Sequence, residues 1–175
     1  MSRIEMVRTV DTPLEDVFAF TEWCYNNPEW IPFVRKAWIA RLPGPDGLGE
    51  ETHYVGEMMG KEETWEATST EFETNTLWAM KATAGSPAKM NMGAEGRFRK
   101  VGHGKTEVRI AISYNVPYPL VGWLLDRFYV RREVRKMVEE MVEGIERAAA
   151  QNRIPSLDIQ LKKREDDYPG YSAQK

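Results

Sequence analysis

The stretch from Asn115 to Ala150 carries the longest helical pattern in the chain, and whatever folds upstream has to cover it. Pro119 suits a first helical position, since its missing N–H would be unpaired there and its φ is already near helical. Apolar residues recur at Leu120, Leu124, Phe128 or Val130, Val134, Met137 with Val138, Met141, Ile145 and Ala148. That three-and-four spacing lines one face of an α-helix. A single helix of this length would run roughly 45 Å at about 1.5 Å per residue. Its stripe therefore needs a broad partner surface. The first third, Leu120 to Val130, is apolar nearly all round, with Val121, Trp123, Leu125 and Tyr129 adding to the stripe. Such a segment has to be buried, line a cavity, or meet a membrane or a partner.

The upstream chain reads as the partner surface. Arg3 to Val10 has strand character, and Thr12-Pro13-Leu14-Glu15 has the form of a capping box opening a short helix that buries Leu14, Val17 and Phe18. A second short helix is expected within Trp23 to Trp30, punctuated by Asn27-Pro28 and Ile31-Pro32. Six strand patterns follow at Phe33–Leu42, Glu51–Met58, Lys61–Phe72, Thr76–Thr83, Met90–Val101 and Lys105–Val116, with short turns that favour antiparallel pairing. Alternation is clean only in the last of them, where Val108, Ile110, Ile112 and Tyr114 face in. Trp65, Trp78, Met80, Met58, Met90 and Met92 are assigned to the concave side, although a one-residue slip inverts any strand. The domain is expected over 1–151. Residues 152–175 read as a charged, mostly mobile tail in which Ile154, Leu157, Ile159 and Leu161 are apolar enough to dock on the sheet or on a second chain.

Composition narrows the function classes. A chain of 175 residues suits one domain with a real core, and its net charge of −3 argues against a nucleic-acid partner. The single cysteine, Cys24, excludes an internal disulfide and fits a reducing compartment. No apolar leader opens the chain and no run reaches membrane-spanning length, so a cytoplasmic protein is expected. The two histidines, His53 and His103, belong to no zinc, haem or iron–sulfur spacing, so neither metal nor cofactor is expected. Cys24 reads as a small buried hydrophobe. Arg135 and Lys136 read as a solvated helix face paired with Glu139 and Glu140, whereas Arg131 and Arg132 border the apolar third in an interfacial-helix pattern.

The order strand, two short helices, six strands, long helix resembles the START-like or SRPBCC superfamily in its polyketide cyclase/dehydrase branch. The resemblance rests on the opening strand with Thr12-Pro13-Leu14-Glu15-Asp16-Val17-Phe18, on Trp30-Ile31-Pro32-Phe33-Val34, on Gly104-Lys105-Thr106-Glu107-Val108, and on Tyr114-Asn115-Val116-Pro117 leading to Gly122. It implies an α+β helix-grip fold, in which a curved seven-stranded antiparallel sheet with two short helices wraps around a long C-terminal helix. It also implies an apolar cavity between sheet and helix. Cavity candidates are Tyr54, Met58, Trp65, Trp78, Met80, Met92 and Arg97 from the sheet and Trp123, Leu124 and Phe128 from the helix.

Three readings of function stay open. The first is binding of a hydrophobic small molecule such as a lipid, an isoprenoid or quinone, or a polyketide-like compound. The second is a polyketide cyclase or dehydratase in which Tyr54, Glu95 or Arg97 polarises a carbonyl or moves a proton, with no acid/base pair assigned. The third is a non-enzymatic module whose apolar helical third meets a partner or a membrane surface. Homodimerisation through the tail is compatible with each.

Overall fold

A computed structural model describes residues 1–58, 60–116 and 129–168. Strand β1 (Ser2–Val10) leads into α1 (Leu14–Glu22), a 3-10 turn (Cys24–Asn26) and α2 (Asn27–Trp30). Strands β2 (Val34–Arg41), β3 (Glu51–Met58), β4 (Lys61–Glu73) and β5 (Leu77–Ala84) follow, then α3 (Gly85–Lys89), β6 (Gly93–Gly102) and β7 (Lys105–Tyr114). Two further helices, α4 (Arg131–Ala150) and α5 (Leu157–Asp167), close the described chain. All seven strands form one antiparallel sheet in the order β1-β7-β6-β5-β4-β3-β2. The hairpin sequence β2 to β7 therefore runs from one edge toward the other, and α1 and α2 carry the chain back across between β1 and β2. This is the expected helix-grip α+β architecture.

The core lies between the sheet and α4. Val134, Val138, Met141, Ile145 and Ala148 of the apolar stripe are all buried, and the helix packs on β1, β7 and α2. Helix α4 starts at Arg131, after Tyr129 and Val130 in a wider π-type turn. The expected start at Pro119, together with Trp123, Leu124 and Phe128, lies outside the described residues. Lys136 pairs with Glu140 at 3.7 Å, as expected for a solvated helix face. Among the described residues no helix is long and apolar enough to cross a membrane.

Local details depart from the sequence reading for identifiable reasons. The capping box does not form: α1 begins at Leu14 with Pro13 as its cap and no side-chain cap bond. The Thr12 carbonyl accepts instead from Thr106 Oγ1 at 2.8 Å, tying the helix entrance to β7. Strand β4 is poorly alternating because its register against β5 shifts twice, at Glu66/Ala67 and at Ser69/Glu71. Met90 and Met92 precede β6 instead of opening it, because α3 and a left-handed Asn91 fill the connection from β5.

The largest departure is the tail, which folds back as α5. Polar residues dock it. Arg164 and Glu22 form an ion pair with both side chains only 5% exposed, and Arg164 also donates to the Ala19 carbonyl and lies 4.8 Å from the centre of the Trp23 ring. Asp16 accepts from the Leu157 N–H at 2.7 Å, and Gln160 Nε2 donates to the carbonyls of Asp16 and Pro155. Tyr168 completes the dock by sharing a hydrogen bond with the Tyr25 hydroxyl. Ile159 and Leu161, apolar enough to have docked, face outward at 62% and 38% exposure.

Candidate functional site

A cavity of about 80 Å³ lies between the concave face of the sheet and α4, bordered by α2. Strand pairing builds its aromatic wall. Tyr54 of β3 and Trp65 of β4 are direct cross-strand partners, and their rings stack with centroids 5.2 Å apart and planes 4° from parallel. Trp78 of β5 lies opposite Gly96 of β6, where a Cβ would come within 2.5 Å of the indole. The missing side chain is what lets the indole lie flat over the neighbouring strand. The Trp78 indole N–H donates to Thr21 Oγ1 at 3.3 Å, and Thr21 in turn donates to the Val17 carbonyl at 3.0 Å.

Methionines supply the adaptable part of the wall. Met58, Met80 and Met92 line it from the sheet side, and Met137 and Met141 from α4. Each is unbranched and polarisable, so this wall can reshape around an irregular apolar guest. None of the described lining residues is charged. Among the described lining residues the only titratable group is Tyr54, whose hydroxyl donates to Met80 Sδ at 3.3 Å. Burial pushes its phenol well above the ordinary tyrosine range, reinforced by nearby Cys24 and Glu50 and opposed by hydrogen bonds from Thr52 and Asn27. It is therefore a neutral hydrogen-bond donor at any ordinary pH.

Six of the residues expected in the cavity are brought together there: Tyr54, Met58, Trp65, Trp78, Met80 and Met92. Arg97 is not, and its expected inward orientation is corrected. Gly96 and Phe98 take the inward positions of β6, which leaves Arg97 on the outer face, half-exposed and ion-paired with Glu95. Glu95 also receives Arg3 through two hydrogen bonds of 3.0 and 3.1 Å. Arg3, and then Arg97, hold the Glu95 carboxyl below its usual value against the opposing effect of burial. Both outer-face groups are committed to each other, with no access to the cavity. Trp123, Leu124 and Phe128 fall outside the described residues.

The sequence reading missed Asn27, Trp30 and Phe33 among the lining residues. Their segment carried only the proline punctuation of a turn. Met137 and Met141 were visible in the helical stripe but read as core. A second cluster was also missed, on the opposite face of the sheet from Tyr54. There His53 Nε2 lies 3.4 Å from Glu51 Oε1 and 3.6 Å from Glu66 Oε1, with the Trp38 ring 5.5 Å from the imidazole. Pairing of β2, β3 and β4 assembles this group, which no linear spacing announces.

Comparison with known proteins agrees with this architecture. The family model described as polyketide cyclase / dehydrase and lipid transport matches residues 1–150. No curated protein sequence matches the chain. Among solved structures, the fold is similar to a Thermus thermophilus protein at 18% identity and a TM-score of 0.70, covering 86% of this chain and 99% of that one. It is similar to a START superfamily protein from Mycobacterium smegmatis at 12% identity and a TM-score of 0.69, covering 86% and 98%. The Zhui aromatase/cyclase from Streptomyces, at 16% identity and a TM-score of 0.58, covers 97% of this chain and 98% of its own.

Proposed function

The chain belongs to the polyketide cyclase / dehydrase and lipid transport family, and from that premise we propose that it binds an uncharged, hydrophobic small molecule with a flat ring system between sheet and helix. The observation that carries this reading is the wall itself: stacked Tyr54 and Trp65, Trp78, and five methionines, with no charged group among the described lining residues. A charged ligand would lose its hydration there without finding a counter-ion. At about 80 Å³ the cavity is small for a ring-bearing ligand. Ligand entry therefore depends on the methionine side chains moving aside, and flat guests that slide along the Trp65 and Trp78 faces displace the least. Aromatic polyketide-like compounds and quinone rings share this character.

A second reading, a cyclase or dehydratase, is favoured by one observation. Tyr54 is a buried phenol kept protonated within the cavity, able to donate to a carbonyl that becomes electron-rich during reaction. The described lining holds no base to accompany it, so binding remains the leading proposal.

Native mass spectrometry of the purified protein, followed by organic extraction, tests the binder. A stoichiometric apolar molecule, or an apo protein that takes up members of a panel of lipids, quinones and aromatic polyketide mimics, is expected. An apo mass that none of the panel changes would overturn the reading.

A further inference from the structure

Two buried polar atoms on residues that line the cavity are left over. Asn27 and Trp30, at the two ends of α2, are 4% and 1% exposed, and both line the cavity. Asn27 Oδ1, an acceptor, and Trp30 Nε1, a donor, have no hydrogen-bond partner among the described residues. The Asn27 amide acts on the neighbouring Tyr54 hydroxyl in the sense that favours the phenolate. With the amide N–H₂ on the Tyr54 side, Oδ1 is the atom left without a partner among the described residues. Nearly all buried polar atoms in folded proteins are paired, and an orphan retains its full desolvation cost until something satisfies it. The other polar side chains in the wall already have partners, Thr21 with Val17 and Trp78, and the Tyr54 proton with the weakly accepting sulfur of Met80.

We propose that Asn27 and Trp30 form a recognition point for a neutral hydroxyl, so that the cavity selects hydrophobic alcohols or phenols over equally apolar ligands that lack one. The proposal rests on the ligand-binding reading above and specifies its chemistry. A hydroxyl is the smallest group that answers both orphans at once: its O–H donates to Asn27 Oδ1 and its oxygen accepts from the Trp30 indole N–H. A ketone or quinone oxygen accepts from Trp30 but leaves Asn27 Oδ1 unpaired. A carboxylate or phosphate faces the carbonyl oxygen of Asn27 without a cation in the described lining. The aromatic wall favours phenols within the class, because a phenolic ring carries its hydroxyl in the ring plane while its faces lie against Trp65 or Trp78.

The test compares 2-naphthol with 2-methylnaphthalene, in which a methyl group of similar size replaces the hydroxyl, by calorimetric titration of the intact protein. The wild type is expected to prefer 2-naphthol by about tenfold to a hundredfold, the span that one unpaired buried polar group produces. Asn27→Leu removes the acceptor at similar volume, and Trp30→Phe keeps a ring while removing the N–H. Each is expected to bring the preference down to about threefold or less by weakening 2-naphthol alone. In spectra of the wild type, the indole N–H resonance that Trp30→Phe removes should move on addition of 2-naphthol and not of 2-methylnaphthalene. This readout stands even if Asn27→Leu fails to fold. Equal wild-type affinities for the two probes would overturn the hydroxyl assignment while leaving the ligand-binding reading intact. A preference that survives both substitutions, or a Trp30 resonance indifferent to 2-naphthol, would also overturn it. If neither probe nor any member of the larger panel binds, the ligand-binding reading fails and the hydroxyl assignment fails with it.

Discussion

Gly144→Ala separates two opposing effects at the junction of α2 and α4. In an exposed helix the change is favourable, because alanine is about 0.8–1.0 kcal/mol better than glycine in a helix interior. Here the helix runs directly over the main chain of Trp30. A Cβ on Gly144 would lie 1.9 Å from the Trp30 carbonyl oxygen, 2.7 Å from its carbon and 3.0 Å from its Cα. Comfortable non-bonded separation starts at about 3.5 Å, so the two helices would have to part by roughly 1.5 Å. The obstacle is backbone, which no rotamer change can move aside, and this places the cost near the top of the usual overpacking range of about 1–3 kcal/mol. Subtracting the helical gain leaves a net loss of about 2 kcal/mol. For a domain of this size that lowers Tm by about 4–8 °C. Paired urea and calorimetric unfolding of wild type and variant measure it. An unchanged or raised Tm would refute the packing argument, since propensity alone predicts that sign. Because Trp30 and Met141 both line the cavity, the same displacement should weaken ligand binding as well.

Other perturbations follow from the same contacts. Arg164→Met removes one member of an ion pair whose side chains are each 5% exposed, so a loss of about 3–5 kcal/mol is expected. Pairing it with Glu22→Met should recover much of that in denaturant titrations, and a single variant as stable as wild type would show that α5 is not held by this pair. Gly96→Ala drives a Cβ to 2.5 Å from the Trp78 ring, so the indole must tilt into the cavity. A stability loss of about 1–3 kcal/mol with weaker ligand binding is expected, and full retention of both would contradict the placement of Trp78. At alkaline pH, Tyr54 is protonated in the folded chain well above 10.0, the value it has when unfolded. Its contribution to stability is present in full below pH 10.0 and declines as pH rises above it, because only the unfolded chain gives up the proton. The last tyrosinate absorbance should therefore appear together with loss of circular dichroism, and Tyr54→Phe should flatten that alkaline limb. Complete tyrosinate formation in a protein that stays folded would refute it.

The parts of the fold written in long apolar patterns were readable from the chain. The α4 stripe and the alternation of β7 needed no knowledge of neighbours, and with the element order they sufficed for the architecture. Faces were lost where the pattern itself is broken, as at the two register shifts of β4. Gly96 has no side chain to reveal which way β6 points, and Arg97 beside it was misplaced for that reason. The docking of α5 was invisible because hydrophobicity points the wrong way: Gln160 and Arg164, one helical turn apart, go inward while Ile159 and Leu161 go out. Their burial is explained only by Asp16, Glu22 and the Ala19 carbonyl on a distant helix. Asn27 and Trp30 belong to a turn whose prolines advertise geometry and hide chemistry.

The pairing of β1 with β7 also has a temporal side. Ser2 lies opposite Tyr114 and Val10 opposite Thr106, so the first strand waits for the last before it has any neighbour in the sheet. Contacts between such distant segments are costly in loop entropy and slow to form. During synthesis β1 is an unpaired, partly apolar edge for as long as it takes to make the other six strands, a period in which it is open to association with other chains. The helix that roofs the cavity is made later still and packs on both β1 and β7. A ligand can thus stabilise the finished protein, but it arrives too late to guide the nascent chain. Early protection of the first strand has to come from elsewhere, as from a chaperone.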